Sequence, residues 1–303
     1  MQMLEAIQRK IKSAQDLYSV VKTMKALAAV NIHYHERAVE AIEAYHQSIE
    51  KGFQVLLKEK PEILKKPAVK NGSRMGVIVF GSQRGMAGKF NVIVANGFME
   101  WEKANTINYT QLKIAVIGER AEEQLKEVGY QPTARIDFPE SKYHLNGAIQ
   151  ELLVFIDSWR FKEKIDDIYL FYNKPKRGIM FEPFQFHLFP LDSIWLKELA
   201  SKKWPSSSLP MYTLTWDRLF YSYIHQFFYI SLYRAFIESM ASENVSRLTA
   251  MQKAEQNVEE QLDELNAQFN RQRQNAITEE LLDIVAGFEA LGKKERKGSG
   301  LNI

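Results

Sequence analysis

Apolar side chains near the start of the chain recur at alternating steps of three and four residues. The series pauses at a small-residue patch around Ala28, and no proline interrupts the chain before Pro61. Its members are Leu4, Ile7, Ile11, Ala14, Tyr18, Val21 and Met24, followed by Val39, Ile42, His46, Ile49, Phe53 and Leu56. This spacing is typical of the contact face of a coiled coil. It predicts an N-terminal coiled-coil helix of roughly 50 residues within residues 1–60.

Between Met75 and about Pro190, short apolar runs alternate with amphipathic segments. The predicted strands cover residues 77–80, 113–117, 133–138, 168–172 and 184–188, and the predicted helices start near Lys89 or cover 121–128 and 145–161. Strands separated by helices of this length favour an α/β layer with parallel pairing. We therefore predict a central Rossmann-like α/β domain over residues 75–200.

A second long helix is predicted after the loop-like stretch 201–210. Thr215 can cap it and Asp217 suits its first turn. The three-and-four spacing returns at Met251, Ala254, Val258, Leu262, Leu265 and Phe269, and then at Ile277, Leu281, Ile284, Phe288 and Leu291. This pattern predicts a C-terminal helix of about 75 residues within 211–291, followed by a flexible tail over 292–303.

Two helices of this length are far longer than the usual average of about 12 residues. Neither can bury its apolar face alone, so the two are expected to pair with each other. The predicted fold class is therefore α/β plus long helices, with an antiparallel coiled coil of the N- and C-terminal helices beside the central domain. Because the second helix is longer, part of it needs another surface to cover it.

Composition excludes several classes of function. The 40 basic and 37 acidic residues nearly balance, which argues against nucleic-acid binding by bulk charge. The absence of cysteine excludes disulfides and zinc sites with sulfur ligands. The N-terminus lacks the apolar run of a signal peptide, and the most apolar stretch, 219–237, carries Arg234 and polar residues unsuited to a membrane helix. A cytoplasmic location is expected.

No motif for catalysis or cofactor binding is complete. The stretch from Gly81 to Phe90 follows a strand and precedes a helix, as a phosphate loop does, but Gln83 and Phe90 stand where glycine and Ser or Thr are needed. A structural turn is the favoured interpretation. The histidines do not form an HExxH pattern, and no serine lies in a G-x-S-x-G turn. We expect no catalytic residues, no cofactor and no metal.

Several segments resemble signatures of the gamma subunit of F-type ATP synthases. They are Ile11-Lys12-Ser13, Val21 to Ala29, Gly81 to Asn91, Ala241-Ser242-Glu243, Arg247 to Met251, Phe269 to Gln274 and Ile277 to Gly287. The resemblance covers essentially the whole chain in order. It implies a non-catalytic central stalk that couples ion-driven rotation of a c-subunit ring to conformational changes in the catalytic beta subunits. The coupling ion would be the proton or sodium.

The resemblance also implies partners and contact residues. The coiled coil would stand inside an alpha3beta3 hexamer, with the α/β domain near the epsilon subunit and the c ring, peripheral at the cytoplasmic face of the membrane. Met24 and the group Arg273, Gln274 and Thr278 match family positions that contact beta subunits. The foot near the c ring would comprise Tyr212, Thr213 and Leu214.

Three departures from the family pattern resemble a divergent branch, the alternate N-ATPase-like enzymes of some bacteria and archaea. Gln83 and Thr213 stand where acidic residues are usual, and Val30-Asn31 replaces a small residue and lysine. Two other functions stay open from the residues alone. One is a non-rotary coiled-coil adaptor with an α/β insert, and the other is an enzyme with its site between Met75 and Pro190.

Overall fold

The computed structural model describes residues 2–65, 74–105, 112–139, 144–176, 180–204, 206, 208 and 210–298. Its helices are α1 (Gln2–Glu59), α2 (Phe90–Asn105), α3 (Glu119–Glu127), α4 (Leu145–Phe161), α5 (Ser193–Ser201) and α6 (Trp216–Gly298). Its strands are β1 (Met75–Phe80), β2 (Leu112–Ile117), β3 (Ala134–Ile136), β4 (Asp167–Lys176) and β5 (Met180–Phe189). A 3₁₀ helix spans Pro61–Lys65.

The chain divides into two compact units, one formed by residues up to Lys25 together with those from Met251 onward. In this unit α1 and α6 pack through a small apolar cluster of Ile7, Ala14, Val258 and Leu265. The hydroxyl of Tyr18 donates to Glu259 at 2.8 Å, and Lys25 forms an ion pair with Glu255. Residue numbers rise along α1 as their partners' numbers fall along α6, so the pair is antiparallel.

Residues 26–250 form the second unit, which holds a five-stranded sheet in the order β3-β2-β1-β4-β5. All strand pairs are parallel except β4 with β5, which is antiparallel. Helices α2 and α3 cover one face of the sheet. The other face packs against α4 and against the middle segments of α1 and α6, around fully buried Phe53 and Phe236. The coiled coil and the Rossmann-like domain predicted from the sequence are thus confirmed.

Among the buried positions of each long helix, one series recurs every seven residues. In α1 the buried positions include Ile7, Ala14, Val21, Ala28, His35, Ile42, Ile49 and Leu56, and in α6 they include Ile230, Ile237, Asn244, Met251, Val258 and Leu265. A seven-residue repeat keeps one face of each helix directed at its partner. The apolar pattern of the sequence does not show this repeat at Ala28 and His35, because alanine is small and histidine is polar.

The C-terminal helix differs in extent from the predicted 211–291 segment. It begins at Trp216, directly after the predicted capping residue Thr215, whose carbonyl accepts the first helical hydrogen bond, from Leu219 N at 3.0 Å. It continues past Leu291 to Gly298. No proline stops it, and glycine within a helix costs only about 1 kcal/mol relative to alanine. The last part of the predicted tail, residues 299–303, lies outside the described residues.

Two further elements were missed or shortened in the prediction. Helix α5 was not predicted, although Asp192 caps it by accepting from Ile194 N at 2.8 Å. Strand β5 starts four residues before the predicted Phe184, since Pro183 is tolerated on an edge strand. Among the described residues, no helix has the length and apolar character needed to cross a bilayer.

Candidate partner interface

The last part of α6 carries three of the predicted contact residues, Arg273, Gln274 and Thr278, and all three are exposed. The Thr278 hydroxyl donates to the backbone carbonyl of Gln274 at 2.9 Å, so it is bonded within its own helix. Among the described residues, no carboxylate lies within ion-pair distance of Arg273. Its guanidinium is therefore available to an acidic group on another molecule.

The same part of α6 exposes a stripe of large apolar side chains. They are Ile277, Leu281, Leu282, Ile284 and Val285, each about half exposed or more. Ile277, Leu281, Ile284 and Val285 recur at helical spacing, so they share one face. We call this set, with Leu282, the apolar stripe of α6. Contiguous exposed apolar side chains of this kind mark surfaces that bind another molecule.

Met24 lies on a different surface, along α1. It is half-buried, and the exposed Leu17 and Val20 precede it at steps of three and four, so the three side chains share a face. Of these three residues, only Met24 was predicted from the sequence as a contact residue. The signal for the other two was present, since Leu17 and Val20 are apolar residues outside the main seam.

Met24 and Arg273 are candidate contact residues at two different heights, or levels, along the paired helices. Lys25, next to Met24, pairs with Glu255, which precedes Arg273 by eighteen residues along α6. That separation corresponds to about 27 Å along a helix at about 1.5 Å per residue. A single small loop of a partner therefore cannot contact both levels.

The predicted foot, Tyr212, Thr213 and Leu214, forms the segment immediately before α6. Thr213 and Leu214 are exposed, as is the neighbouring Met211. The hydroxyl of Tyr212 donates to the Glu59 carboxylate at the end of α1. That hydrogen bond, with a smaller effect of burial, raises the pKa of Tyr212 to about 12. The hydrogen bond of Tyr212 thus holds this segment at the end of α1, while the side chains of Thr213 and Leu214 are exposed to solvent.

Trp216 holds the start of α6 against the end of α1. Its indole Nε1 donates to the Leu56 carbonyl at 3.1 Å, and its ring stacks on Phe220 with centroids 4.6 Å apart. The ammonium group of Lys60 lies 4.4 Å from the ring centroid, within the range of a cation–π interaction. Trp216 was not predicted from the sequence, although a tryptophan directly after a capping residue was a visible signal.

The turn from Gly81 to Asn91, considered above as a phosphate loop, packs against α6. Ser82 N donates to the Asn91 side chain at 2.9 Å, and the Asn91 amide donates back to Ser82 Oγ at 2.9 Å. The Ser246 hydroxyl of α6 donates to the Ala87 carbonyl at 2.6 Å. Gln83 accepts a hydrogen bond from Phe138 N at 3.3 Å. These hydrogen bonds stabilise the turn and favour its interpretation as a structural turn over a phosphate loop.

The signature residues after Ala241 are largely buried. Glu243 accepts from Arg247 at 2.6 Å, and burial raises the pKa of the Glu243 carboxyl even though Arg247 opposes this effect. Ser242 and Ser246 donate to backbone carbonyls of the α/β domain. The segment therefore packs inside the second unit and does not form a free surface. Within the described ranges, no cluster of acidic or histidine side chains could hold a metal ion.

Comparisons with known proteins agree with the sequence resemblance. The family model described as ATP synthase matches residues 3–291. The ATP synthase gamma chain of Pelagibacter ubique is 30% identical over 299 residues, covering 95% of this chain and 99% of the relative. That of Syntrophus aciditrophicus is 27% identical over 293 residues, covering 96% and 99%.

Solved structures share the fold. A chain from the Euglena gracilis mitochondrial ATP synthase, in a structure of OSCP, F1 and c-ring, aligns with a TM-score of 0.62 at 15% identity, covering 100% of this chain and 97% of that one. A chain from the Tetrahymena thermophila central stalk and c-ring structure aligns with a TM-score of 0.53 at 17% identity, covering 78% and 99%. Taken with the family match over nearly the whole sequence, these findings show that the chain belongs to the ATP synthase gamma-chain family.

Proposed function

We propose that this chain is the central rotor shaft of an F-type ATP synthase. It would turn inside an alpha3beta3 hexamer and couple rotation of a c-subunit ring to conformational changes in the beta subunits. The observation that carries this proposal is the family match over residues 3–291. In this function the chain itself carries no catalytic group, and the complex would move protons or sodium ions at the cytoplasmic face of a membrane.

The proposed mechanism depends on asymmetry of the shaft. Three chemically identical beta subunits respond differently only if the shaft presents different side chains to each one. A shaft can shift their conformational equilibria only through differential interaction energy. The exposed Arg273 precedes Ile277 by four residues, so the cationic group and the apolar stripe lie on one side of α6 and make that side different from the rest of the helix.

The guanidinium of Arg273 and the apolar stripe each suit a particular kind of partner group. The guanidinium of Arg273 can form two parallel hydrogen bonds to a carboxylate of a beta subunit, in the region called the catch. Gln274 and Thr278 lie next to it on α6. Burying a leucine or isoleucine of the apolar stripe contributes about 1.5–3 kcal/mol. Met24, with Leu17 and Val20, forms the second contact level for a beta subunit.

At the foot, Thr213 and Leu214 would meet the c ring, while the Tyr212–Glu59 hydrogen bond holds their segment. The epsilon subunit would bind beside the α/β domain. Gln83, Thr213 and Val30-Asn31 support assignment to a divergent branch of the family, similar to N-ATPases.

Assembly tests the proposal directly. The chain is mixed with its cognate alpha and beta subunits, and we expect one copy in a complex with three of each and nucleotide-dependent ATPase activity. Arg273→Glu is expected to weaken assembly about tenfold, which corresponds to about 1.4 kcal/mol. Arg271→Glu is the matched control, since it reverses an exposed arginine two residues away, on a different side of α6. Failure of the unaltered chain to assemble under any condition would overturn the proposal.

A further inference from the structure

Helix α6 is held by three hydrogen bonds, on two of its sides, within a short stretch of the second unit. Ser242 Oγ donates to the backbone carbonyl of Asn173 at 2.8 Å. Ser246 Oγ donates to the backbone carbonyl of Ala87 at 2.6 Å. Asn244 Oδ1 accepts from the Asn31 side chain at 3.4 Å. We call Ser242, Asn244 and Ser246 the hydrogen-bond collar of α6.

The acceptors on the α/β domain are themselves fixed. Asn173 lies in β4 and is fully buried, and its side-chain amide donates to the Phe90 carbonyl at 2.8 Å. Ala87 lies in the turn before α2 and is also buried. The collar therefore joins α6 to rigid backbone of the sheet layer through two serines, and to α1 through Asn244.

The three collar residues lie on two sides of the helix axis. Successive residues are about 100° apart, so Ser242 and Ser246 lie within about 40° of each other and Asn244 lies roughly opposite. Apolar contacts are non-directional and allow a helix to rotate a little at small cost. Hydrogen bonds weaken steeply when their angle or length changes. Bonds on two sides of α6 therefore oppose its rotation about its own axis.

Burial makes these bonds hard to replace. Ser242 is fully buried, and Asn244 and Ser246 are nearly so. When a buried hydrogen bond breaks without water to take its place, the unpaired group carries a desolvation penalty. The collar is thus a set of directional hydrogen bonds shielded from water. Such bonds resist movement of the helix relative to the sheet.

We propose that the hydrogen-bond collar fixes the angle of α6 about its axis against the α/β domain and so supplies part of the torsional stiffness of the stalk. Ser242, Asn244 and Ser246 are in this account positioning residues for torque transmission. They touch neither nucleotide nor ion. The inference rests on the proposed function, because torsional stiffness matters only in a chain that rotates.

The test measures angular fluctuation during ATP-driven rotation of the assembled complex. A probe on the α/β domain reports the angle, and the variance of that angle at each dwell is inversely related to stiffness. In the double variant Ser242→Ala/Ser246→Ala, which loses two of the three collar contacts, the variance is expected to rise about two- to threefold. The ATPase rate is expected to stay unchanged.

The matched control is Ser19→Ala/Ser48→Ala. Both hydroxyls donate only to carbonyls of their own helix, those of Gln15 and Ala44, each at 3.1 Å, and both residues are exposed. This control should leave the variance unchanged. Equal variance in the collar variant and the unaltered chain, or an equal rise in the control, would overturn the inference while leaving the proposed function intact. An unaltered complex that hydrolyses ATP without rotating would overturn the proposed function itself.

Discussion

At the scale of single residues, two glycines with nearly the same backbone conformation lie in very different surroundings. Gly118 and Gly129 have φ angles of 95° and 96°. A Cβ atom at Gly118 would lie 2.7 Å from the Ser82 carbonyl oxygen, whereas one at Gly129 would have no neighbour within 4 Å. The pair therefore separates the cost of a strained backbone from the cost of a steric clash.

Alanine at each position should show that difference. We expect Gly129→Ala to lower the free energy of unfolding by about 1–2 kcal/mol, because only backbone strain is added. Gly118→Ala should lower it by about 3 kcal/mol or more, since the backbone at Ser82 must also move. Urea unfolding of both variants measures the two values. Equal losses would contradict the close approach of Gly118 to Ser82.

His35 predicts a dependence of stability on pH. Burial lowers the pKa of His35 from 6.5 to about 4, so at pH 5 the unfolded chain binds a proton here that the folded chain does not. This contribution to stability is complete above pH 6.5 and is lost as the pH falls toward 4. We expect the free energy of unfolding to drop by about 2 kcal/mol between pH 7 and pH 5 from this group.

The measurement is urea unfolding at both pH values for the unaltered chain and for His35→Leu. The leucine variant should lose that part of the pH dependence. His225→Leu, which removes an exposed histidine of α6, is the control and should retain it. If His35→Leu and the unaltered chain lose stability equally on acidification, the role assigned to His35 is wrong.

The family signatures supplied the candidate contact residues, such as Arg273 and Tyr212. They missed Leu17, Val20 and Trp216, whose importance comes from what each side chain touches or leaves uncovered. The assignment of Met24, Arg273 and the foot residues to particular partners stays a prediction, since the structure contains only this chain.

At the scale of elements, α6 has two kinds of apolar surface with different roles. Leu265 belongs to the seam with α1 and is 9% exposed, whereas Leu281 of the apolar stripe is 57% exposed. The first contributes to folding. The second is available to a partner, because it is exposed and, among the described residues, the apolar cluster shared with α1 reaches only as far as Phe269 along α6.

Aspartate at these positions should therefore have opposite effects. Leu281→Asp should change the free energy of unfolding by less than about 0.5 kcal/mol but weaken binding to alpha and beta subunits about tenfold or more. Leu265→Asp should cost about 3 kcal/mol or more in unfolding, because it buries an unpaired charge. Urea unfolding and assembly titrations give both numbers. If Leu281→Asp binds alpha and beta subunits normally, the apolar stripe is not part of the interface.

Elements with strong periodicity were predictable from the sequence, and weakly marked ones were not. The bounds of α4 match the prediction, Leu145 to Phe161, because its apolar spacing is regular. Helix α5 is short, and its only clear signal was the capping Asp192. Helix α6 continues through Gly292, where the predicted tail began, because glycine weakens a helix without necessarily ending it.

At the scale of the whole molecule, the pattern of residues predicted the fold, whereas the family resemblance predicted the function. Helix length and seam spacing predicted a pair of long helices, the alternation of apolar runs with amphipathic segments predicted an α/β domain, and the incomplete motifs led us to expect no catalytic residues. No such pattern indicates rotation. The assignment to the gamma-chain family depends on matched sequence over nearly the whole chain, and the proposal of a rotor follows from that membership.

The most direct test of the central claim is to observe rotation of this chain. Because the chain has no cysteine, Val154→Cys on the exposed side of α4 provides a single site for a probe. The alpha3beta3 complex is fixed to a surface through its alpha or beta subunits, and ATP is added. The account predicts that the probe turns in one direction, with three dwells per revolution. ATP hydrolysis by the same fixed complexes with the probe stationary would contradict it.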